Sequence, residues 1–253
     1  MDMNFDGLVS AFKERVYDSS KGEVRINILK YDMELNIQEL SEQKPLKILD
    51  AGGGMGQIAR WMASKGHNVV LCDLSSEMLK IAEEENEKAD LGEYISIINK
   101  PIQELPYILE KESFDLITLH GVIEWMDKPI DAFKCLIPLL KHNGKYSVLI
   151  HNLDKLILKW GINGQYDKAI AGKPCGVRKL TPFNSLSGKT FEKEIENSGL
   201  KLISKAGIRI FHGFFAKLTK DVVNDTFLLE KKYCHEEPFA SLGEHTHYLL
   251  RKI

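Results

Sequence analysis

Two aspartates and a run of glycines carry the most chemistry in this chain. Lys47-Ile48-Leu49-Asp50-Ala51-Gly52-Gly53-Gly54-Met55-Gly56-Gln57 leads from apolar residues into glycines. Without a Cβ in the way, such a turn bends sharply and lets a ligand lie against the backbone. Asp50 precedes the glycines, and a second acid, Asp73, stands 23 residues later at the end of the next apolar run. Two cofactors compete for this pattern. A nicotinamide dinucleotide needs its pyrophosphate at a helix N-terminus, where N–H groups favour anions. Gly54-Met55-Gly56-Gln57-Ile58-Ala59 fits the looser form of that fingerprint. Asp50 would then set a carboxylate beside the pyrophosphate, a repulsive pairing. S-Adenosylmethionine has no phosphate and carries an ammonium and a sulfonium, which Asp50 suits directly or through water. Asp73 would accept hydrogen bonds from ribose hydroxyls in either case. The methyl donor is the better reading, with Gly52, Gly53 and Gly54 as its cradle.

Further candidates flank this loop. Ser113-Phe114-Asp115-Leu116-Ile117-Thr118-Leu119-His120 opens with polar residues and ends on a histidine. In an open parallel sheet, ligands bind beyond the carboxyl ends of the strands, which sets His120 beside the cofactor. Ile102 and Gln103 follow the third strand, where an adenine would find apolar contact and hydrogen bonds.

These residues need a frame. Residues up to about Lys44 read as helical, with a break and restart at Asp18-Ser19-Ser20-Lys21-Gly22. From Leu46 the pattern alternates. Strands are expected at 46–49, 68–72, 94–99, 114–119 and 145–150, and helices at 57–65, 76–86 and 129–140. Such alternation indicates a parallel sheet covered on both faces. Residues 151–190 break the rhythm and read as an insertion over the active edge, with six lysines and Arg178 against Asp154 and Asp167. A helix (190–197), a strand (200–211), a helix (217–231) and a strand (245–251) complete the chain. The expectation is one domain: a cap over 1–44, a cofactor-binding core over 45–150, the insertion, and carboxyl-terminal elements over 191–253.

Composition is ordinary for a globular protein, at 43% hydrophobic and 28% charged residues. A net charge of −2 announces neither nucleic acid nor an acidic membrane. The four cysteines are far apart, so neither a metal site nor a disulfide framework is expected. Met1 to Phe5 contain an acid with no apolar run after it, and no stretch nears the roughly 18 apolar residues of a membrane span. A cytoplasmic protein without a membrane partner is expected.

Motifs outside the loop narrow the reading. Asn4-Phe5-Asp6, Phe12, Tyr17 and Lys21-Gly22-Glu23-Val24-Arg25 resemble the bacterial tRNA 5-carboxymethoxyuridine methyltransferase family. So do Leu71-Cys72-Asp73-Leu74-Ser75, Gly207-Ile208-Arg209-Ile210-Phe211-His212, Tyr233-Cys234-His235-Glu236-Glu237-Pro238 and Leu242-Gly243. The resemblance covers nearly the whole chain. It implies a Rossmann-like class I methyltransferase fold: a mostly parallel seven-stranded sheet with helices on both faces and an N-terminal helical lid. It also implies S-adenosylmethionine as donor, a tRNA anticodon stem-loop as partner and no metal. The substrate would be the carboxylate of 5-carboxymethoxyuridine at the wobble position. Carried over residue by residue, the donor contacts fall on Arg25, Gly52, Gly53, Asp73, Ile102, Gln103 and His120. Met55 stands where the family often has an acid, and His142-Asn143-Gly144 replaces its usual Pro-Gly-Gly turn.

A carboxylate is ionised at pH 7, with a pKa near 4, so no general base is nominated. Positioning supplies most of the rate. An anionic substrate needs cationic or hydrogen-bonding partners, since a buried unpaired charge is costly. The candidates are Tyr17, Arg178, Arg209 and His212. Rival readings are a methyltransferase for a small metabolite such as a quinone precursor, an enzyme using carboxy-S-adenosylmethionine, and a cofactor-binding protein without turnover.

Overall fold

In the computed structural model, which describes residues 2–42, 44–173, 180–212 and 220–253, the apolar runs pair into one seven-stranded sheet. The strands are β1 (Lys47–Ala51), β2 (Asn68–Asp73), β3 (Ile95–Asn99), β4 (Phe114–His120), β5 (Leu140–His151), β6 (Leu200–Ile208) and β7 (His245–Lys252). Their order is β3-β2-β1-β4-β5-β7-β6. The first five pair in parallel, and β7 lies antiparallel between β5 and β6. The order reverses at β1, so a crevice opens between the carboxyl ends of β1 and β4, the place where such sheets bind ligands. Because β7 is antiparallel, its first residue lies at that same edge, with His245 opposite His151.

Period-two alternation sends neighbours in each strand to opposite faces. Ile48, Leu71, Leu116 and Leu249 pack on one side with Ile28, Met33, Ile58 and Met62. Leu49, Ile117, Val148 and Tyr248 pack on the other with Phe133 and Phe191. Helices therefore cover both faces. A third, smaller cluster gathers Val9, Met55 and Met78, with Phe5, Phe12 and Tyr17 against it. It fastens the amino-terminal segment to the glycine loop.

That segment contains a short helix (Val9–Phe12), a π-helical turn (Lys13–Tyr17) and a long helix (Ser20–Asn36). The Ser19 hydroxyl accepts from the Gly22 N–H at 3.2 Å and caps the long helix, the usual role of serine there.

Three expectations need correction. The helix expected over 129–140 ends at Cys135, and the Ile137–Leu139 turn feeds straight into β5, which begins at Leu140 rather than Lys145. Asn143 takes a positive φ of 62° there, a conformation asparagine tolerates. The expected insertion is helical at its start, over Leu153–Ile162 and Tyr166–Ala171. Its periodicity is hard to read because Ile162, Tyr166 and Ile170 are exposed. The strand expected to reach Phe211 stops at Ile208, because Arg209 turns left-handed at a φ of 61°.

Candidate functional site

The glycine loop leaves β1 and is held to β2: the N–H groups of Gly52 and Gly53 both donate to the Cys72 carbonyl, at 2.7 and 3.1 Å. Gly54 donates to Asp73 Oδ2 at 2.9 Å, while Asp73 Oδ1 accepts from the Ser75 N–H at 2.8 Å. Two of these glycines show why no side chain fits. Gly54 has a φ of 56°, and a Cβ there would come within 2.7 Å of the Tyr17 hydroxyl. A Cβ on Gly53 would fall 2.4 Å from Asp50 Oδ2. The loop is a cradle whose neighbours already occupy the space a side chain would need.

Above it lies a cavity of about 330 Å³. Arg25, Asp50, Gly52, Gly53, Gly54, Asp73, Ile102, Gln103 and His120, the residues read as donor contacts, all line it. Tyr17 and Arg209 line it as well. His212 does not: it is buried beyond the wall, and its backbone N–H donates to Glu230 Oε1 at 3.1 Å. Arg178 lies outside the described residues.

Several groups on this wall are polar, buried and unsatisfied. Asp50 is 2% exposed. Its Oδ1 accepts from the Thr118 hydroxyl at 2.7 Å, and Oδ2 has no partner among the described residues. Burial pushes its carboxyl up to about 6, against the Thr118 hydrogen bond. Asp73 is likewise raised, chiefly by burial. Gln103 donates to Asp2 at 2.6 Å, and its carbonyl oxygen has no partner among the described residues. Tyr17 is pushed up to about 12, mostly by burial. It sits over Gly54, with the glycine loop. Buried polar groups without partners are uncommon, and their concentration here marks a place for a polar ligand. Asp50 and Asp73 together favour a cationic one and oppose a pyrophosphate.

The opposite end of the cavity holds groups the sequence reading passed over. Glu124, on the turn after β4, is buried, with Oε2 unpartnered among the described residues. Burial drives it up to about 7 despite the attraction of Arg25. His151 ends β5, and its Nδ1 pairs with the Ser185 hydroxyl at 2.7 Å. His245 opens β7, with Nδ1 unpartnered among the described residues. Burial lowers both imidazoles, His151 to about 4, so both are neutral at pH 7. Glu244 faces the cavity too and pairs with Lys159 at 3.1 Å. His151 was within reach of the rule that strand carboxyl ends line the site. His245 and Glu244 were not, because only the antiparallel pairing of β7 brings them there.

Arg209 is a cation of this wall, within electrostatic reach of Glu244 and Arg25. It is 8% exposed, with Nε unpartnered among the described residues. Its left-handed turn is held from behind. Glu230 accepts from the N–H groups of Ile210, Phe211 and His212 at 2.8, 2.8 and 3.1 Å. Lys155 donates to the Ile210 carbonyl at 2.9 Å. A non-glycine residue in this backbone region costs of order 1–3 kcal/mol, and such strain gathers at functional sites.

Comparison with known proteins agrees with this geometry. A methyltransferase domain model matches residues 49–148, which run from β1 through most of β5. The tRNA 5-carboxymethoxyuridine methyltransferase of Escherichia coli K12 is 32% identical over 99% of this chain and 97% of its own length. The chain belongs to this methyltransferase family. A ubiquinone/menaquinone biosynthesis C-methyltransferase of Rhizobium etli is 33% identical, over only 50% of this chain and 52% of that protein. Among solved structures, a SAM-dependent methyltransferase from Archaeoglobus fulgidus superposes with a TM-score of 0.61 at 13% identity, covering 97% of this chain and all of that one. The [4+2]-cyclase SpnF reaches 0.60 at 15% identity, over 89% of this chain and 80% of its own. These likenesses establish the Rossmann-like fold, and the cyclase illustrates that fold alone does not fix chemistry. The protein is a methyltransferase with S-adenosylmethionine as its methyl donor. No helix among the described residues of this methyltransferase is long and apolar enough to cross a membrane.

Proposed function

We propose that this methyltransferase esterifies the carboxylate of 5-carboxymethoxyuridine at the wobble position of tRNA, in the cytoplasm, with the anticodon stem-loop as its partner. The observation that carries this reading is identity to a family member over essentially the full length of both chains. That span includes Arg209 and His245, both beyond the matched methyltransferase domain.

The donor, when bound, supplies an electrophilic methyl on a sulfonium. Arg25 pairs with its carboxylate, as a guanidinium does well in bidentate fashion. Asp50 faces the cationic portion, Asp73 the ribose hydroxyls, and Ile102 with Gln103 the adenine. Gly52, Gly53 and Gly54 permit close approach, and the amino-terminal segment acts as a lid. Arg209 holds the substrate carboxylate. That carboxylate is its own nucleophile, so no side chain needs to remove a proton. The neutral state of His151 and His245 suits hydrogen bonding to the substrate without adding charge.

The test is incubation of the protein and donor with tRNA carrying the free acid, followed by nucleoside mass spectrometry. The methyl ester should appear as the acid declines. Arg209→Ala should lower kcat/KM for tRNA by about 10- to 100-fold, the worth of one hydrogen bond to a charged group, and leave donor affinity within about twofold. Failure to methylate or bind tRNA, with turnover on a small carboxylic acid, would remove the RNA assignment and leave the fold standing.

A further inference from the structure

A buried chain of hydrogen bonds runs from the donor cavity into the middle of the protein. His120 Nε2 pairs with the Ser147 hydroxyl at 2.7 Å, and that hydroxyl pairs with His247 Nε2 at 2.6 Å. His247 Nδ1 hydrogen-bonds Asp32 Oδ2. Asp32 Oδ1 accepts from His235 Nε2 at 2.7 Å, from the Asn36 amide at 2.7 Å and from the Ser204 hydroxyl at 3.3 Å. Asp32, Ser147 and His247 are completely buried. The residues come from the long amino-terminal helix, β4, β5, β6 and β7, and the turn that follows the helix Lys220–Tyr233.

The order aspartate, histidine, serine is that of a hydrolase nucleophile. Ser147 is not one, because it has no exposed surface and its oxygen is engaged by imidazoles on both sides. Its hydroxyl has a single proton to give, so the chain has a direction.

The charges fix that direction. Burial would raise Asp32, yet the two histidines hold it well below the usual carboxylate range. The hydrogen bond to Asp32 lifts His235 to about 10, so this partly exposed histidine carries the balancing charge. One anion and one cation are then matched. The Asp32 carboxylate accepts, so the ring proton of His247 sits on Nδ1, where it donates to Asp32, and Nε2 is bare. Ser147 must donate to that Nε2, and its oxygen must accept from His120 Nε2–H. Burial, with His247 and Arg25 nearby, pushes His120 well below its ordinary range and keeps it neutral. Its Nδ1 is then a lone pair, and it has no partner among the described residues.

We infer that Asp32, His247 and Ser147 are positioning residues that hold His120 as the Nε2–H tautomer, presenting its Nδ1 as a hydrogen-bond acceptor to the bound methyl donor. The role of Nδ1 rests on the placement of the donor in this cavity. The tautomer itself belongs to the protein alone.

Long-range proton–nitrogen correlation spectra of histidine-labelled protein read tautomers directly, with the His120 signals assigned by their loss in His120→Asn. Wild type should give Nε2–H at His120 and Nδ1–H at His247, both free and with S-adenosylhomocysteine. An Nδ1–H tautomer at His120 would overturn the inference. Asp32→Asn should reverse the chain. Three donors converge on Oδ1, so the amide oxygen takes that position and the NH₂ faces His247. His247 then gives its Nε2–H to Ser147, which donates to His120 and moves the proton to Nδ1. Calorimetry should record about a tenfold loss of S-adenosylhomocysteine affinity, the worth of one hydrogen bond. An unchanged His120 tautomer in folded Asp32→Asn protein would sink the relay. If that variant does not fold, Ser147→Ala cuts the chain with little change of shape. His247 should keep Nδ1–H while affinity falls several-fold, and unchanged affinity would count against the relay. Wild-type protein indifferent to S-adenosylhomocysteine would defeat the donor placement, while its tautomers still decided the relay.

Discussion

Glu124 illustrates how far burial alone can move a residue. Its carboxyl has an ordinary value of 4.5 and stands at about 7 in the fold. The folded state therefore holds this proton more tightly than the unfolded chain does. Between pH 4.5 and 7 the native state binds more protons at this site, so its contribution to stability declines as pH rises through that window. Glu124→Gln removes the decline. The variant should match wild type below about pH 4.5 and exceed it by about 3 kcal/mol at pH 8, in denaturant unfolding read across pH. A difference that does not change with pH would mean that the carboxyl is not held protonated. At this scale the sequence was legible where residue type and spacing sufficed. Asp50 and Asp73 follow from two acids flanking glycines. Arg209 was legible as a cation near the site, but alternation suggested an extended strand, and nothing local announced a left-handed turn braced by Glu230. Asp32 falls at helical spacing from the buried Val24 and Ile28, an acid on the core face, yet its meaning depends on histidines more than 200 positions away.

Among the elements, the long helix Ser20–Asn36 bears most on the cavity, since it carries both Arg25 and Asp32. Gly22 lets its first turn press against the preceding π-helical turn. A Cβ there would stand 2.1 Å from the Val16 carbonyl oxygen and 2.7 Å from that of Tyr17. On helix propensity alone, Gly22→Ala should stabilise by about 1 kcal/mol. The contact reverses the sign: we expect a loss of about 1–3 kcal/mol in urea unfolding, in line with overpacking elsewhere. A weaker Kd for S-adenosylhomocysteine should follow, as Arg25 and Tyr17 shift together. A net gain in stability would show that the two turns are free to separate. Element reading succeeded for β1, β2 and β4, where short apolar runs end in polar residues at the sheet's edge. It failed for Leu153–Ile162 and Tyr166–Ala171, where apolar side chains remain on the outside and the stripe never closes on one face.

At the scale of the molecule, two large clusters build the sheet and a third, small one attaches the amino-terminal segment. Removing residues 1–18 should leave a protein that still unfolds in one cooperative transition, because both large clusters are untouched. Its affinity for S-adenosylhomocysteine should fall by at least about tenfold through loss of Tyr17, Phe5, Phe12 and the Asp2 contact to Gln103, given about 1 kcal/mol or more per lost contact. Full-strength binding would assign the donor site wholly to the sheet. The fold was legible at this scale from alternating strands and helices. The reversed final pair was not, since direction leaves no trace in an apolar run. That pair has one more consequence. His245 and His247 stand two apart on β7 and reach the same side of the sheet, while Thr246 between them is buried on the other. Cavity and relay thus depend on odd and even. A one-residue slip of β7 against β5 would swap the set, offering threonine and tyrosine where imidazoles belong. A slip of two would keep the faces but set His247 in the place of His245 and Leu249 in that of His247, so the register of this one strand fixes cavity and relay together.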